Sequence, residues 1–476
     1  AVESGKPIVA FKVGRSAAGR QAAVSHTGAM SGEDSVYDAL FRQLGIIRAH
    51  SFGDLLDLPA ALASCPRLKG ERIAVVTSTG GAGTLIAESC GLAGFDLPTP
   101  DADTSARLAS ILGGVDLSQV SNPLDVTLAG LRSDLFTSAI STFLESPSYD
   151  AVVVVIGSSA LANPDVVADA LVECMGKGGK PLLAYVSVHA PHLARLLTAR
   201  GIPAFTAPES GASMLAALRP VASVRGAQAT AQQHGAPHLP SQGGTLNEYE
   251  SKALFRHYGV NVTGEAVVSG PAEAEAAARL MAEKVVLKVL SSDIAHKSEF
   301  GGVRVGLKAD EVAQACREME LSITQSGAGR IEGYLVQEFV SDGLEMILGV
   351  REDPQLGPFV LLGMGGVTAE LLADVSIRLL PIDYEGAKGM IDDLRLSPLL
   401  NGYRGMPKRD VEALANAIVA VSDMGSALSD RILEAEINPL FVKTVGQGVI
   451  AADGLVVLRA ERRNVAPDQP SVLEGA

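Results

Sequence analysis

His26 is one of eight histidines in 476 residues, and it has almost no bulk beside it. In the run QAAVSHTGAMSGEDSVYDAL it stands between Ser25 and Thr27, with Gly28 next, on a polar loop that feeds a helix start. That is an unusual place for an imidazole, and it asks for a chemical reason. A glycine cluster, TSTGGAGTLIAES at 77–89, follows a strand pattern and opens a helix. Gly80, Gly81 and Gly83 allow close backbone approach, and a helix N-terminus offers unpaired N–H groups to an anion. The same glycines also suit a plain tight βα turn. The run is neither G-x-G-x-x-G nor a P-loop with its G-K-[ST], so it specifies neither dinucleotide nor Walker chemistry.

Two further groups sit late in the chain. Lys288 lies in the middle of the apolar strand pattern VVLKVL. Burying it is costly unless a carboxylate or phosphate pairs with it, and an edge strand with the lysine in water is the alternative. His296 and Lys297 follow in DIAHKSEFGG, a glycine-terminated loop that suits either a ligand or the surface. Glu436 and Asn438 in EAEINPL are two apart and so share one face of a strand, with Asp453 following in GVIAADG. Hard oxygen donors of this kind suit Mg2+ held jointly with nucleotide phosphates. Solvated acids are the plainer reading, although Asn-Pro directly after an apolar run is not a typical exposed face.

The elements that position these residues fall into stretches of different rhythm. KPIVAFKVG reads as a buried strand, entered almost at once, as if the chain opens inside a larger domain. SGEDSVYDALFRQLG starts a helix, with Ser31 suited to the N-cap and Val36, Leu40 and Ile47 spaced for one apolar face. RIAVVTS, DAVVVVIG and KPLLAYVSV are short β-rich runs separated by helical patterns, which predicts a parallel sheet with helices on both faces. Residues 221–244 lose all apolar periodicity and read as a linker. Beyond it, mixed strands and helices with charged residues inside strand patterns predict an α+β nucleotide-handling domain.

Length suggests about three domains at about 150 residues each. The formal charge of −15 argues against a general nucleic-acid or anionic-membrane surface, since both rely on clustered Lys and Arg. The four cysteines, Cys65, Cys90, Cys174 and Cys316, lie far apart with no C-x-x-C pair, which reads as buried free thiols in a reducing cytoplasm. No apolar run approaches the roughly 18 residues of a membrane span. The expectation is a cytoplasmic α/β protein.

Taken together, SHTG, HKSEFGGVRVGL, GMGGVTAELLADVSIRLLPI and EINPLFV resemble the NDP-forming acyl-CoA synthetases, relatives of succinyl-CoA synthetase. The resemblance implies flavodoxin-like parallel-sheet ligase domains followed by an α+β ATP-grasp domain. Residues 1–66 are similar to part of the phosphohistidine domain, 72–220 to a flavodoxin-like CoA-ligase domain and 245–460 to the ATP-grasp domain; 221–244 is the linker and 461–476 a tail. The implied reaction joins a carboxylic acid to CoA at the expense of ATP, releasing ADP and phosphate, through an acyl phosphate and a phosphorylated His26. A neutral imidazole is nucleophilic near pH 7, and small neighbours leave room for a phosphoryl group.

By the same resemblance, Lys288 holds phosphates with Lys297 nearby, Glu338 and Val340 form the adenine hinge, and Arg378 is a second phosphate contact. Asn438 and Asp453 are implied Mg2+ ligands with Glu436 beside them, and His296 matches a second histidine that relays phosphate in some members, a ground-state phosphate contact being the alternative. A Rossmann-like CoA-binding domain precedes this region in single-chain members. Its lack here implies a fragment, or a separate CoA-binding subunit within an oligomer. A nucleotide-sensing regulatory module, or a fragment keeping only ATP binding and histidine phosphorylation, is the alternative.

Overall fold

The computed structural model describes residues 5–19, 21–22, 33–126, 133–187, 190–220, 235, 237–294, 297–366 and 374–460. His26, Ser31 and His296 lie outside the described residues. Two compact units divide the chain, residues 1–21 with 44–224, and residues 22–43 with 225–476.

In the first unit, β1 (Val9–Phe11) pairs in parallel with β2 (Ile47–Ala49). The strand predicted from KPIVAFKVG is therefore three residues long. Runs of Val, Ile and Ala then form a five-stranded parallel sheet from β3 (Ile73–Thr77), β4 (Leu124–Asp125), β5 (Ala151–Ile156), β6 (Leu182–Val186) and β7 (Ala204–Phe205). Its spatial order is β4-β3-β5-β6-β7. Counted from β3 this is the flavodoxin order 2-1-3-4-5, whose ligand crevice lies at the strand C-termini where the order reverses. Alternate residues of β3 and β5 feed opposite cores: Val76 and Val154 pack with Phe143 on one face, Val75 and Val153 with Ile86 and Leu215 on the other. The helices on both faces answer to the alternation in the sequence.

The second unit holds two antiparallel sheets. One takes the order β11-β10-β12-β9 from β9 (Glu265–Val268), β10 (Val285–Leu290), β11 (Val303–Leu307) and β12 (Gly333–Glu338). The other takes the order β15-β14-β13-β16-β18-β8, from β8 (Gly244–Leu246), β13 (Leu344–Asp353), β14 (Gly357–Met364), β15 (Val375–Leu379), β16 (Ile432–Val442) and β18 (Gly454–Leu458), with β17 (Val449–Ala451) beside β16. The long helix Val411–Ala427 buries Leu414, Ile418 and Val421 in the larger sheet's core.

The helix Asp34–Gln43 also belongs to this second unit. Val36 and Ala39 pack on Phe359 and Ile377, and Gln43 exchanges two hydrogen bonds with the backbone of Leu379 at 2.9 and 3.0 Å. Ile47 does not continue its apolar face as expected. The helix stops at Gln43, Gly45 takes the left-handed φ of 65°, and Ile47 becomes the first residue of β2.

Cys65, Cys90, Cys174 and Cys316 are free thiols, and all but the partly exposed Cys65 are buried. Burial pushes Cys65 and Cys316 up to about 11 and Cys90 up to about 12, so none of these three is a reactive thiolate near neutral pH. Among the described residues, no helix is long and apolar enough to cross a membrane.

Candidate active site

Lys288 sits on β10, which is flanked on both sides by β11 and β12, and every residue of that strand is buried. The edge-strand alternative is thereby removed. Its burial is compensated by hydrogen bonds from Nζ to Glu248 Oε1 at 2.7 Å, to Asp453 Oδ2 at 2.7 Å and to the Ala452 carbonyl at 2.9 Å. Lys297, on the following loop, donates to the other oxygen of the same carboxylate, Glu248 Oε2, at 2.8 Å. Behind them Lys252 Nζ lies 2.9 Å from Glu248 Oε1, 2.9 Å from Gln337 Oε1 and 2.5 Å from Glu265 Oε2. The Glu265 contact is ionic without hydrogen-bond alignment. Gln337 in turn donates to the Ala452 carbonyl at 3.2 Å.

Three lysines thus meet three carboxylates, and the cluster links the smaller sheet, the helix Glu248–His257 and the β17–β18 turn of the larger one. Its walls differ in exposure. The side chains of Glu248 and Lys252 are 0% exposed, Lys288 and Lys297 are 5% and 9%, and Asp453 is 32%. Asp453 is therefore the member of the Lys288 and Lys297 group most open to solvent. Burial alone would raise the Glu248 carboxyl, but Lys288, Lys252 and Lys297 outweigh it and hold the group well below the usual carboxylate range. Burial likewise opposes the Lys288 charge, and Glu248 with Asp453 overcomes it and holds the ammonium above the ordinary lysine range.

The acidic group gathers around the middle of β16, where β18 begins. Asn438 Nδ2 donates to Glu436 Oε1 at 3.2 Å, as the shared strand face requires. The register that pairs Ile437 with Gly454 brings Asp453 opposite Asn438. Glu436 is also bound by Arg351 at 2.9 Å, and Asp453 by Lys288. Two carboxylates and an amide are hard oxygen donors fit for Mg2+ shared with phosphates. Among the described residues, no group of three or more His, Cys, Asp or Glu side chains could hold a metal by itself.

Other expected residues lie elsewhere. Glu338 turns away from the lysines, with Oε1 accepting from Gly264 N at 3.0 Å, while its neighbour Gln337 points into the cluster. Val340 follows β12 in irregular chain. Arg378 on β15 is held by the Asp393 carboxylate and by the Ile377 carbonyl.

In the first unit the glycine cluster occupies the flavodoxin-type crevice. The helix Gly80–Leu92 starts directly after β3, and Thr79 at its N-cap makes no side-chain capping bond. The turn after β5 adjoins it, with Gly157 N donating to Ser78 Oγ at 3.1 Å. The three glycines divide in purpose. A methyl group on Gly83 would lie 2.9 Å from Thr77 Cγ2, so this glycine serves helix–strand packing. A methyl on Gly81 meets nothing within 4 Å, and one on Gly80 comes within 3.0 Å of the Asp125 carboxylate. Gly83→Ala is therefore expected to cost about 1–3 kcal/mol in urea unfolding. Gly81→Ala should be neutral or gain up to about 1 kcal/mol from helix propensity.

Glu248, Lys252, Glu265 and Gln337 are not among the residues the sequence reading selects. A signal existed for the first two. In NEYESKALFRHYG, Glu248, Ser251, Lys252 and Phe255 share the buried helix face, so two opposite charges occupy positions that periodicity reserves for apolar groups.

Residues 238–458 match the family described as an ATP-grasp domain, and residues 1–62 match the succinyl-CoA ligase like flavodoxin domain. Over 472 residues the chain is 30% identical to an ADP-forming acetate–CoA ligase I of Archaeoglobus fulgidus, covering 96% of this chain and 67% of that protein. The chain belongs to the ADP-forming acyl-CoA ligase family. A trans-feruloyl-CoA synthase from an unknown prokaryotic organism is 31% identical over 96% of this chain and 65% of its own length. The beta subunit of acetate–CoA ligase I from Pyrococcus furiosus is 36% identical over 45% of this chain and 91% of that subunit; the alpha subunit is 30% identical over 46% of this chain and 47% of its own length. The chain spans about two thirds of the length of the full-length ligases it matches. Within this family the lysine cluster falls wholly inside the ATP-grasp match.

Proposed function

We propose that this chain is the nucleotide-handling and phosphoryl-carrying part of an acid–thiol ligase that forms acyl-CoA from a carboxylic acid, CoA and ATP. The observation that carries the reading is the pair Lys288 and Lys297, buried on one carboxylate beside Asp453 within the ATP-grasp match. Two desolvated ammonium groups at the mouth of such a site suit the β- and γ-phosphates of ATP, where phosphoryl transfer depends on position and charge neutralisation. Asp453, Asn438 and Glu436 are the residues that would hold Mg2+, which supplies charge neutralisation at the phosphate oxygens. His26 Nε2 or Nδ1 takes the γ-phosphoryl group as ADP leaves, then passes it to a substrate carboxylate. The CoA thiol displaces phosphate from that acyl phosphate. The domain division at 66/72, 220/221 and 244/245 is part of this reading.

Gly80 and Gly81 open the helix N-terminus of the flavodoxin-type crevice, a fitting second station for the phosphorylated loop. Glu338 and Val340 are proposed for the adenine hinge, Arg378 for a further phosphate contact, and His296 for a second phosphate carrier next to Lys297. CoA is bound with the help of a separate subunit or a further domain; the Pyrococcus furiosus relatives are divided into alpha and beta subunits. A cytoplasmic location is part of the same reading, since the proposed reaction consumes ATP and CoA.

The test supplies MgATP, CoA and a panel of acids including acetate and ferulate to the protein, with its CoA-binding partner where one copurifies. The reading predicts equal amounts of ADP and phosphate, released only when both CoA and an acid are present. Release of AMP and pyrophosphate, or ATP hydrolysis indifferent to CoA and acid, contradicts it.

A further inference from the structure

Two carboxylates hold Lys288, and they are not equivalent. Asp453 reaches it from the open side and is about one third exposed, whereas Glu248 is closed off entirely and uses both oxygens, Oε1 for Lys288 and Lys252 and Oε2 for Lys297. Lys288 comes from the centre of β10 and Lys297 from the loop behind it, nine residues on. A long lysine side chain has many rotamers, and fixing two heads side by side costs entropy that a shared partner has already met. Glu248 is well placed for that. It opens the helix Glu248–His257, whose N-cap Asn247 forms a capping box with Glu250, so its backbone is fixed locally.

We propose that Glu248 is a positioning residue for nucleotide phosphates, clamping the ammonium groups of Lys288 and Lys297 to one carboxylate so that they meet the phosphates as a single preset pair. Glu248 itself stays buried and touches no nucleotide. Asp453 is the exchangeable partner, released from Lys288 when a phosphate takes its place. Lys252 is a second partner of Glu248 Oε1 and closes the rear of the clamp, with its own charge shared with Glu265 and its Nζ held by Gln337. The inference rests on the reading of this cluster as the ATP site.

The experiment compares the wild-type chain with Glu248→Gln for binding of MgATP by calorimetry and of adenosine by ligand-observed NMR. Glutamine keeps the size and one acceptor oxygen but cannot hold two ammonium groups by charge. The clamp predicts MgATP affinity at least tenfold weaker in E248Q with adenosine affinity within twofold of wild type. MgATP affinity unchanged, or both affinities falling together, overturns it. Should E248Q fail to fold, Glu248→Asp keeps the charge and shortens the reach by one methylene. At least a threefold loss for MgATP alone then supports the clamp, and wild-type affinity overturns it. Wild-type protein that binds adenosine and MgATP equally well, or neither, contradicts the ATP-site reading instead, which separates the two failures.

Discussion

Lys288→Met should weaken MgATP binding by at least about a hundredfold while leaving a folded protein. The reasoning starts from burial. Lys288 Nζ makes three hydrogen bonds of 2.7–2.9 Å, two of them to carboxylates, and its side chain is almost wholly buried. Charge-assisted contacts of this kind are worth about 1.5–3 kcal/mol each, and about 2.7 kcal/mol corresponds to a hundredfold in affinity. In the proposed site a nucleotide phosphate that replaces Asp453 on Lys288 would inherit that contact, so removing the ammonium removes it from the bound state.

Stability should fall by less than a broken buried pair usually costs, about 3–5 kcal/mol. Glu248 keeps Lys252 and Lys297 as partners, and Asp453 is open enough to solvent to be rehydrated. Methionine fills the stem volume of the lysine on β10. Calorimetry for MgATP, with thermal unfolding as the control, reads both effects. Wild-type affinity in K288M would place the phosphates away from this cluster.

His26→Ala should abolish acyl-CoA formation, by at least about a thousandfold, while MgATP affinity stays within about twofold. The contrast follows from the division of labour. In the proposed reading, binding depends on Lys288, Lys297 and their carboxylates, whereas His26 would offer the nucleophilic nitrogen that carries the phosphoryl group from ATP to the acid. An alanine cannot form the intermediate, and neither Ser25 nor Thr27 supplies a nitrogen in its place. Parallel loss of binding and turnover would mean instead that His26 helps to build the nucleotide site.

Much of the fold was legible because its signals are local. Uninterrupted Val and Ala runs such as DAVVVVIG cannot be half exposed, and they became the central strands of the parallel sheet. The alternation in EAEINPLFV put Glu436 and Asn438 on one face, where a hydrogen bond now joins them. Lys288 could be singled out because a charge in the middle of an apolar strand demands a partner. Which partner was hidden, because Glu248 is 40 residues upstream and Asp453 is 165 downstream. Only the packing of the two sheets and one helix brings them together. Gln337 shows the same limit at finer scale. Glu338 carries the charge, yet the strand alternation of β12 sends Gln337 to the lysines and Glu338 to Gly264. Apolar period alone carries the helix Asp34–Gln43 on to Ile47, but Gly45 intervenes with a left-handed φ and Ile47 opens β2.

The most direct test of the phosphohistidine account is labelling of the purified chain with γ-labelled ATP and Mg2+, alongside His26→Ala, followed by acid and alkali treatment of the labelled protein. The account predicts a label that is lost in acid, survives alkali, returns to ATP when ADP is added, and is absent from the variant. A wild-type chain that binds MgATP but takes up no such label, or a label that persists in His26→Ala, would contradict it.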